Sequence, residues 1–171
     1  MICPHCGFDN LPGSEECSHC RMDLTQLDQP QAVNRIERSL MEDLVGSLCP
    51  RLPCTVLPST TIAETIRTML AHNVGSLLVV DQNHQLLGIF SERDLLTRIA
   101  GVVEDYADQP VERFMTRSPE TVTATDSLAF ALHKMDVGGY RHLPVLQDGK
   151  PVGVVSVRDL LTHITRMCLD R

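Results

Sequence analysis

Residues 51–171 carry the same pattern twice. The first copy runs Leu77-Leu78-Val79-Val80-Asp81, then Gly88-Ile89-Phe90-Ser91-Glu92-Arg93-Asp94-Leu95-Leu96. The second runs Leu143-Pro144-Val145-Leu146, then Gly153-Val154-Val155-Ser156-Val157-Arg158-Asp159-Leu160-Leu161. Upstream, Ile62-Ala63 answers Leu128-Ala129 and Met69 answers Met135. The offset is 66 residues before the central turn and 65 after it, so the second turn is one residue shorter. Such a duplication constrains the fold more than composition does, because each element must be accounted for twice.

Each copy reads as strand, helix, strand, turn, strand, helix. In the first, Thr55–Leu57 is a short strand and Thr61–His72 a helix with Ile62, Ile66, Met69 and Leu70 on one face. Ser76–Val80 and Leu86–Phe90 are apolar, β-branched strands around a polar turn, and Glu92–Ala100 is a closing helix that Gly101 caps. The second copy repeats this with Thr121–Thr123, Ser127–Val137, Leu143–Leu146, Pro151–Val155 and Val157–Cys168, with Asp148-Gly149 at its hairpin. Gly101 to Pro110, between the copies, is acidic and turn-prone.

The strings Met115-Thr116, Arg141-His142-Leu143-Pro144-Val145 and the doubled Gly-x-x-Ser-x-x-Asp make residues 51–171, about 120 of the 171, resemble a tandem pair of cystathionine-β-synthase (CBS) domains, a Bateman module. The resemblance implies an α/β (α+β) fold, each copy a small three-stranded sheet with two helices. It also implies two clefts suited to adenosine-containing ligands such as AMP, ADP or ATP, and a homodimer. In the family the motif Asp contacts ribose, a role that transfers to Asp94 and Asp159.

Elementary chemistry offers two readings of the same residues. Ser91 and Ser156 stand at the ends of strands and the starts of helices, with Asp94 and Asp159 in the first turn, so each pair is a capping box with Asp in place of Glu. A carboxylate left free by the backbone accepts both hydroxyls of a ribose, while the Ser hydroxyl and helix N–H groups suit phosphate. Tyr140, Arg141 and His142 precede the second copy's central strand where Val74-Gly75-Ser76 stands uncharged in the first, so one cleft suits phosphate better. Alternatively, Arg141 pairs with a surface acid such as Asp136. Arg93 and Arg158 reach phosphate or a partner subunit, and Thr55 and Thr116 contact ligand or are ordinary strand hydroxyls.

The first twenty residues hold Cys3-Pro4-His5-Cys6 and Cys17-Ser18-His19-Cys20. Two residues between cysteines let a tight turn aim both sulfurs at one point, and two such turns complete a tetrahedral thiolate shell. Disulfides or a redox pair are the alternatives; a reducing compartment disfavours the first, and no βαβ pattern supports the second. The segment resembles short zinc ribbons, with pattern C-P-x-C-G, a loop, C-x-x-C and a closing Leu24. Arg21 departs from the glycine usual there. The resemblance makes Cys3, Cys6, Cys17 and Cys20 ligands of a structural Zn2+, and His5 and His19 bystanders, since four thiolates already fill the shell.

Between ribbon and repeat, Gln26–Gln31 is a polar hinge. Val33, Ile36, Leu40, Leu44 and Leu48 then form the stripe of a helix over Ala32–Leu48, which docks on the following domain or pairs with a second copy. The expected domains are the ribbon, 1–28; hinge and linking helix, 29–50; and the two CBS domains, 51–108 and 109–171.

Composition narrows the function. The 43 % hydrophobic fraction is enough for a core, but no apolar run approaches the roughly 20 residues of a membrane span. The start lacks a secretory signal, so a cytoplasmic location without membrane contact is expected. Net charge is −7, of which residues 1–28 hold −4, Arg21 standing against Asp9, Glu15, Glu16, Asp23 and Asp28. That balance disfavours nucleic acid at the one segment shaped for it. No residues pair a nucleophile with a base or build a redox site, so the expectation is a regulatory sensor rather than an enzyme. The alternatives are a zinc-ribbon adaptor for nucleic acid or protein, or an interaction protein with empty clefts. Cys49, Cys54, Cys168, Met69, Met115, Met135 and Met167 read as apolar filler.

Overall fold

The computed structural model describes residues 1–25, 32–101 and 105–169; the hinge expected at Gln26–Gln31 lies outside them. They form two compact units, Met1–Arg38 and Ser39–Arg171. In the first, two short turns each close with an isolated antiparallel bridge, Ile2 to Asp9 and Glu16 to Asp23. Its core is Cys3, Cys17 and Leu24, with Met1 and Cys20 partly buried against them.

The second unit carries the duplication. Its first half contains β1 (Thr55–Val56), α2 (Ile62–His72), β2 (Ser76–Val80), β3 (Leu86–Ser91), α3 (Glu92–Asp94) and, across the linker, β4 (Thr116–Arg117). The second half contains β5 (Val122–Thr123), α4 (Leu128–Gly138), β6 (His142–Gln147), β7 (Lys150–Ser156) and α5 (Val157–Leu169). Both sheets have a parallel first pair and an antiparallel second: β1-β2-β3-β4 and β5-β6-β7.

The expected three-stranded first sheet therefore has four strands. Thr116–Arg117 joins it because Gly88 lets the chain lie flat against β3; a Cβ at Gly88 would stand 2.5 Å from Met115 Sδ and 2.8 Å from the Thr116 carbonyl oxygen. The second sheet repeats the device as a single bridge, Arg51 to Val154, over Gly153, whose Cβ would meet Pro50 Cβ at 2.7 Å.

Each half has its own core. Ile62, Met69, Leu77, Val79, Phe90 and Ile99 fill the first with Val111, Phe114 and Met115. Val122, Leu128, Ala131, Met135, Leu143, Val145, Val155 and Leu160 fill the second together with Val45. β2 is buried along its whole length, which explains its unbroken apolar run. Thr61 completes a capping box with Glu64 at α2, worth about 1 kcal/mol.

Several expectations change in detail. Leu70 is 76 % exposed and Thr65 takes its place on the buried face of α2. Of the three cysteines outside the ribbon, Cys54 packs against the first core, but Cys49 and Cys168 are exposed. The linking helix is shorter than its stripe: α1 spans Arg35–Glu42, and a 3-10 turn follows at Val45–Leu48. Leu44 between them is extended, because backbone groups there bond the second half instead. Leu128 N–H donates to the Asp43 carbonyl, Val45 N–H to Asp126 and Gly46 N–H to Ala124. Leu40 and Leu48 pack on the second core, so from Ser39 onward the segment docks.

The closing helix of the first copy also differs. After α3 it widens into a π-helical turn, Leu95–Ile99, whose Leu95 carbonyl accepts from Ala100 N–H. Its counterpart α5 stays α-helical over 13 residues.

Candidate functional site

In the first unit, the two turns bring four thiols together. Cys3 N–H donates to the Phe8 carbonyl and Gly7 N–H to that of Cys3; Cys17 and Arg21 repeat this with Met22 and Cys17. Gly7 and Arg21 occupy matching left-handed positions, φ 72° and 58°, so Arg21 takes the glycine conformation despite its Cβ. Sγ separations are 3.6 Å for Cys3 to Cys20 and for Cys6 to Cys17, and the four sulfurs lie within 4.8 Å of one another. This cluster can hold a metal ion.

Asn10 supports the cluster from behind. It is 5 % exposed, its amide donates toward Cys17 Sγ at 3.6 Å, and its oxygen accepts from Ser18 N–H. Burial works against ionisation of Cys17. Backbone N–H groups of Cys20 and His19 and the Asn10 amide outweigh it and bring the thiol down to about 6. At Cys6 the Phe8 backbone lowers, but burial and the neighbouring thiols prevail and push it up to about 12. His5 and His19 are exposed, and the His19 ring stacks on Phe8 at 5.7 Å.

In the second unit, two clefts lie side by side and share Gly75, Glu92, Arg141 and His142. One, of about 700 Å³, is lined by Ser91, Arg93, Asp94, Thr116 and Tyr140. The other, of about 650 Å³, is lined by Ser156, Arg158, Asp159, Arg51 and Cys54. Ten of the eleven cleft residues singled out from the sequence line one or both. The exception is Thr55. It is exposed in β1, where alternation along the strand turns it from the cleft that its neighbour Cys54 lines.

Both Ser-x-x-Asp strings are capping boxes. Ser91 N–H and hydroxyl donate to Asp94 Oδ2 at 2.9 and 2.7 Å, and Asp94 N–H returns to Ser91 Oγ at 3.4 Å. Ser156 and Asp159 repeat this at 2.8, 2.6 and 3.4 Å. Capping thus uses Oδ2 in each copy and leaves Oδ1 over.

The leftover oxygens differ. Asp94 Oδ1 meets Arg98 Nε at 3.3 Å and accepts from the Thr116 hydroxyl at 3.3 Å. Asp159 Oδ1 has no protein partner among the described residues. Arg93 is also engaged, donating to the Gly139 carbonyl at 3.0 Å. Tyr140 folds over Gly138, where a Cβ would stand 1.9 Å from its ring. Arg141 makes no ion pair with Asp136 or any other acid among the described residues.

Sequence reasoning missed Arg98 and Arg51. Strand register, not the repeat spacing, identifies Arg51: it faces Val154 as Thr116 faces Ile89, whereas the 66-residue offset upstream of the turn would align it with Arg117.

His142 sits at the boundary of the two clefts. Gly75 leaves it room; a Cβ there would lie 3.3 Å from the ring and 3.4 Å from Glu92 Oε2. Burial is the main reason its pKa falls below the ordinary 6.5; Glu92 and Asp159 pull it up, while Arg141 and Arg158 push it further down. The unfolded chain then binds more protons at mildly acid pH. The stability gained from a neutral His142 is present above the ordinary value and lost as pH falls through the folded one. Thermal melts between about pH 7.5 and 5.5 should show Tm declining toward acid, and His142→Gln should flatten that decline. Identical slopes for both proteins would refute this.

The family model described as the CBS domain matches residues 45–101 and 111–166. An uncharacterized 17.7 kDa protein of Acidianus ambivalens is 41 % identical over 106 residues, 61 % of this chain and 63 % of that protein. The chain thus spans under two thirds of that relative's length, and 22 % of longer plant relatives. A CBS-domain-containing protein of Agrobacterium tumefaciens has a crystal structure that superposes with a TM-score of 0.66 at 31 % identity, covering 70 % of this chain and 98 % of that one. CBSX2, solved in complex with AMP, superposes at 0.62 with 25 % identity over 73 % and 98 % of the two chains.

Proposed function

This chain belongs to the CBS-domain family, and on that premise we propose that it is a non-catalytic regulatory module whose CBS pair binds an adenosine-containing ligand. The observation that carries the reading is the motif aspartate. One carboxylate oxygen is spent on the helix cap, and at Asp159 the other is left at a cleft large enough for a nucleotide. Two adjacent ribose hydroxyls are the natural donors to such an oxygen. The AMP complex of the similar CBSX2 supports the ligand class.

A bound ligand signals only if it favours one arrangement of the module over another. Two copies of the chain, paired through the CBS domains, would supply those arrangements, and the cysteine unit would pass the change to a partner protein. Its metal, in this reading, is zinc. Four sulfurs around one zinc stand about 3.8 Å apart, close to the 3.6 Å separations of Cys3 from Cys20 and Cys6 from Cys17. Four protein ligands leave zinc no open position, so its role is structural. The domains divide as 1–28, 29–50, 51–108 and 109–171. We place the protein in the cytoplasm, where thiols stay reduced; no helix among the described residues is long and apolar enough to cross a membrane.

Isothermal titration and thermal-shift measurements with AMP, ADP, ATP and S-adenosylmethionine test the ligand claim. Saturable heat and a raised Tm with at least one of them are expected. Silence with all four would end it.

A further inference from the structure

We infer that the two clefts are unequal by construction: the Asp159 cleft takes one phosphorylated adenosine nucleotide per chain, and Arg98 keeps the Asp94 cleft closed to it. The inference rests on the adenosine-ligand reading above and names where, and in what ionic form, that ligand sits.

Arg98 is held at four points. Its Nε meets Asp94 Oδ1 at 3.3 Å, Nη1 donates to the carbonyls of Phe114 and Met115 at 2.8 and 2.9 Å, and Nη2 donates to Thr116 Oγ1 at 3.2 Å. Thr116 in turn donates to Asp94 Oδ1 at 3.3 Å. With Oδ2 in the helix cap, both oxygens of this 7 %-exposed carboxylate are engaged inside the protein. A ribose arriving here would have to displace a charge-assisted contact in a half-dry site, which costs more than the neutral hydrogen bonds it brings.

The repeat shows how the second cleft escapes this. Position 98 corresponds to His163 by the repeat offset, and position 116 to Arg51 by strand register, Thr116 facing Ile89 as Arg51 faces Val154. His163 faces away, to Ser39 Oγ at 2.8 Å and Asp43 at 3.3 Å, where the docked linking segment holds it. The helix bearing it is also α-helical, whereas Arg98 rides on the π-turn. Where Thr116 donates to Asp94, Arg51 supplies a cation instead. Arg51, Arg141 and Arg158 all line this cleft, and none of their side chains has a hydrogen-bond or ion-pair partner among the described residues. Three free guanidinium groups against the carboxylates of Glu92 and Asp159 leave a local excess of positive charge. That excess matches phosphate, which guanidinium binds in a bidentate fork, and disfavours adenosine ligands that are neutral or cationic.

Titration calorimetry on the intact chain tests this with AMP, adenosine and the variants Asp159→Asn and Arg98→Ala. Asparagine retains an oxygen for the cap, so the Asp159→Asn protein folds while losing the ribose acceptor. Expected are one AMP per chain, at least tenfold weaker binding of adenosine, a tenfold or greater loss for Asp159→Asn, and a second AMP equivalent for Arg98→Ala. Two equivalents in the unaltered chain, full affinity in Asp159→Asn, or a single equivalent in a folded Arg98→Ala protein would overturn the unequal clefts. Adenosine binding as tightly as AMP would overturn the phosphate assignment. Absence of any binding by AMP, ADP, ATP and S-adenosylmethionine would instead remove the adenosine-ligand reading itself.

Discussion

Chelating the metal from the purified protein is expected to unfold residues 1–25 and leave residues 39–169 folded. Among the described residues, the apolar core of the cysteine unit is Cys3, Cys17 and Leu24, with Met1 and Cys20 against them. So few apolar side chains cannot offset the conformational entropy of some 25 residues, for which roughly 1–2 kcal/mol per residue is lost on ordering. Structural zinc in comparable sites contributes about 10–16 kcal/mol of apparent binding energy, which becomes folding energy. The other unit has two cores of its own and no need of the metal. Elemental analysis should therefore find one zinc per chain. After chelation, or in Cys17→Ser, amide resonances of residues 1–25 should collapse to random-coil dispersion while those of the CBS pair stay in place. A spectrum that does not change on chelation would remove the zinc assignment.

Gly88→Val should destabilise the CBS pair by on the order of 3 kcal/mol and lower its Tm by roughly 10 °C. The new Cβ would lie 2.5 Å from Met115 Sδ, which can swing aside, but also 2.8 Å from the Thr116 carbonyl oxygen, which cannot move without lifting β4. Lifting β4 would carry Thr116 and the Phe114 and Met115 carbonyls away from Arg98, so the ligand stoichiometry should change along with stability. Gly153→Val should destabilise in the same way through Pro50, because both halves use a missing Cβ to seat an incoming chain. Urea unfolding of both variants measures the cost. A midpoint within error of the unaltered protein for Gly88→Val would show that β4 is not held as tightly as its register implies.

Much of this is legible in the amino-acid sequence. Period-2 and period-3.6 patterns located the central strands and the helices α2, α4 and α5 to within a residue or two, since burial on one face is written directly in side-chain alternation. The duplication did more, because Ser91-x-x-Asp94 and Ser156-x-x-Asp159 marked both strand ends and both helix starts. What stayed hidden has a common physical cause. The extended Leu44 and the brief strand Thr116–Arg117 are decided by backbone hydrogen bonds to distant residues, and the π-turn at Leu95–Ile99 carries Arg98, whose side chain bonds the distant Phe114 and Met115 carbonyls; none of these leaves a local pattern. From sequence Thr55 reads equally as a ligand contact or an ordinary strand hydroxyl, and strand alternation turns it away from the cleft that Cys54 lines.

The fold, the four cysteines that gather and the two Ser-x-x-Asp pairs at the clefts follow from the order of the amino acids. Each of these is a local spacing repeated or completed within the chain. The difference between the two aspartates arises instead from long-range packing. Identical motifs place identical carboxylates, but whether the second oxygen of each is free depends on what the rest of the fold brings up to it. For Asp94 that is Arg98 and Thr116; for Asp159 Oδ1, with His163 drawn off toward Ser39 and Asp43, no side chain arrives among the described residues.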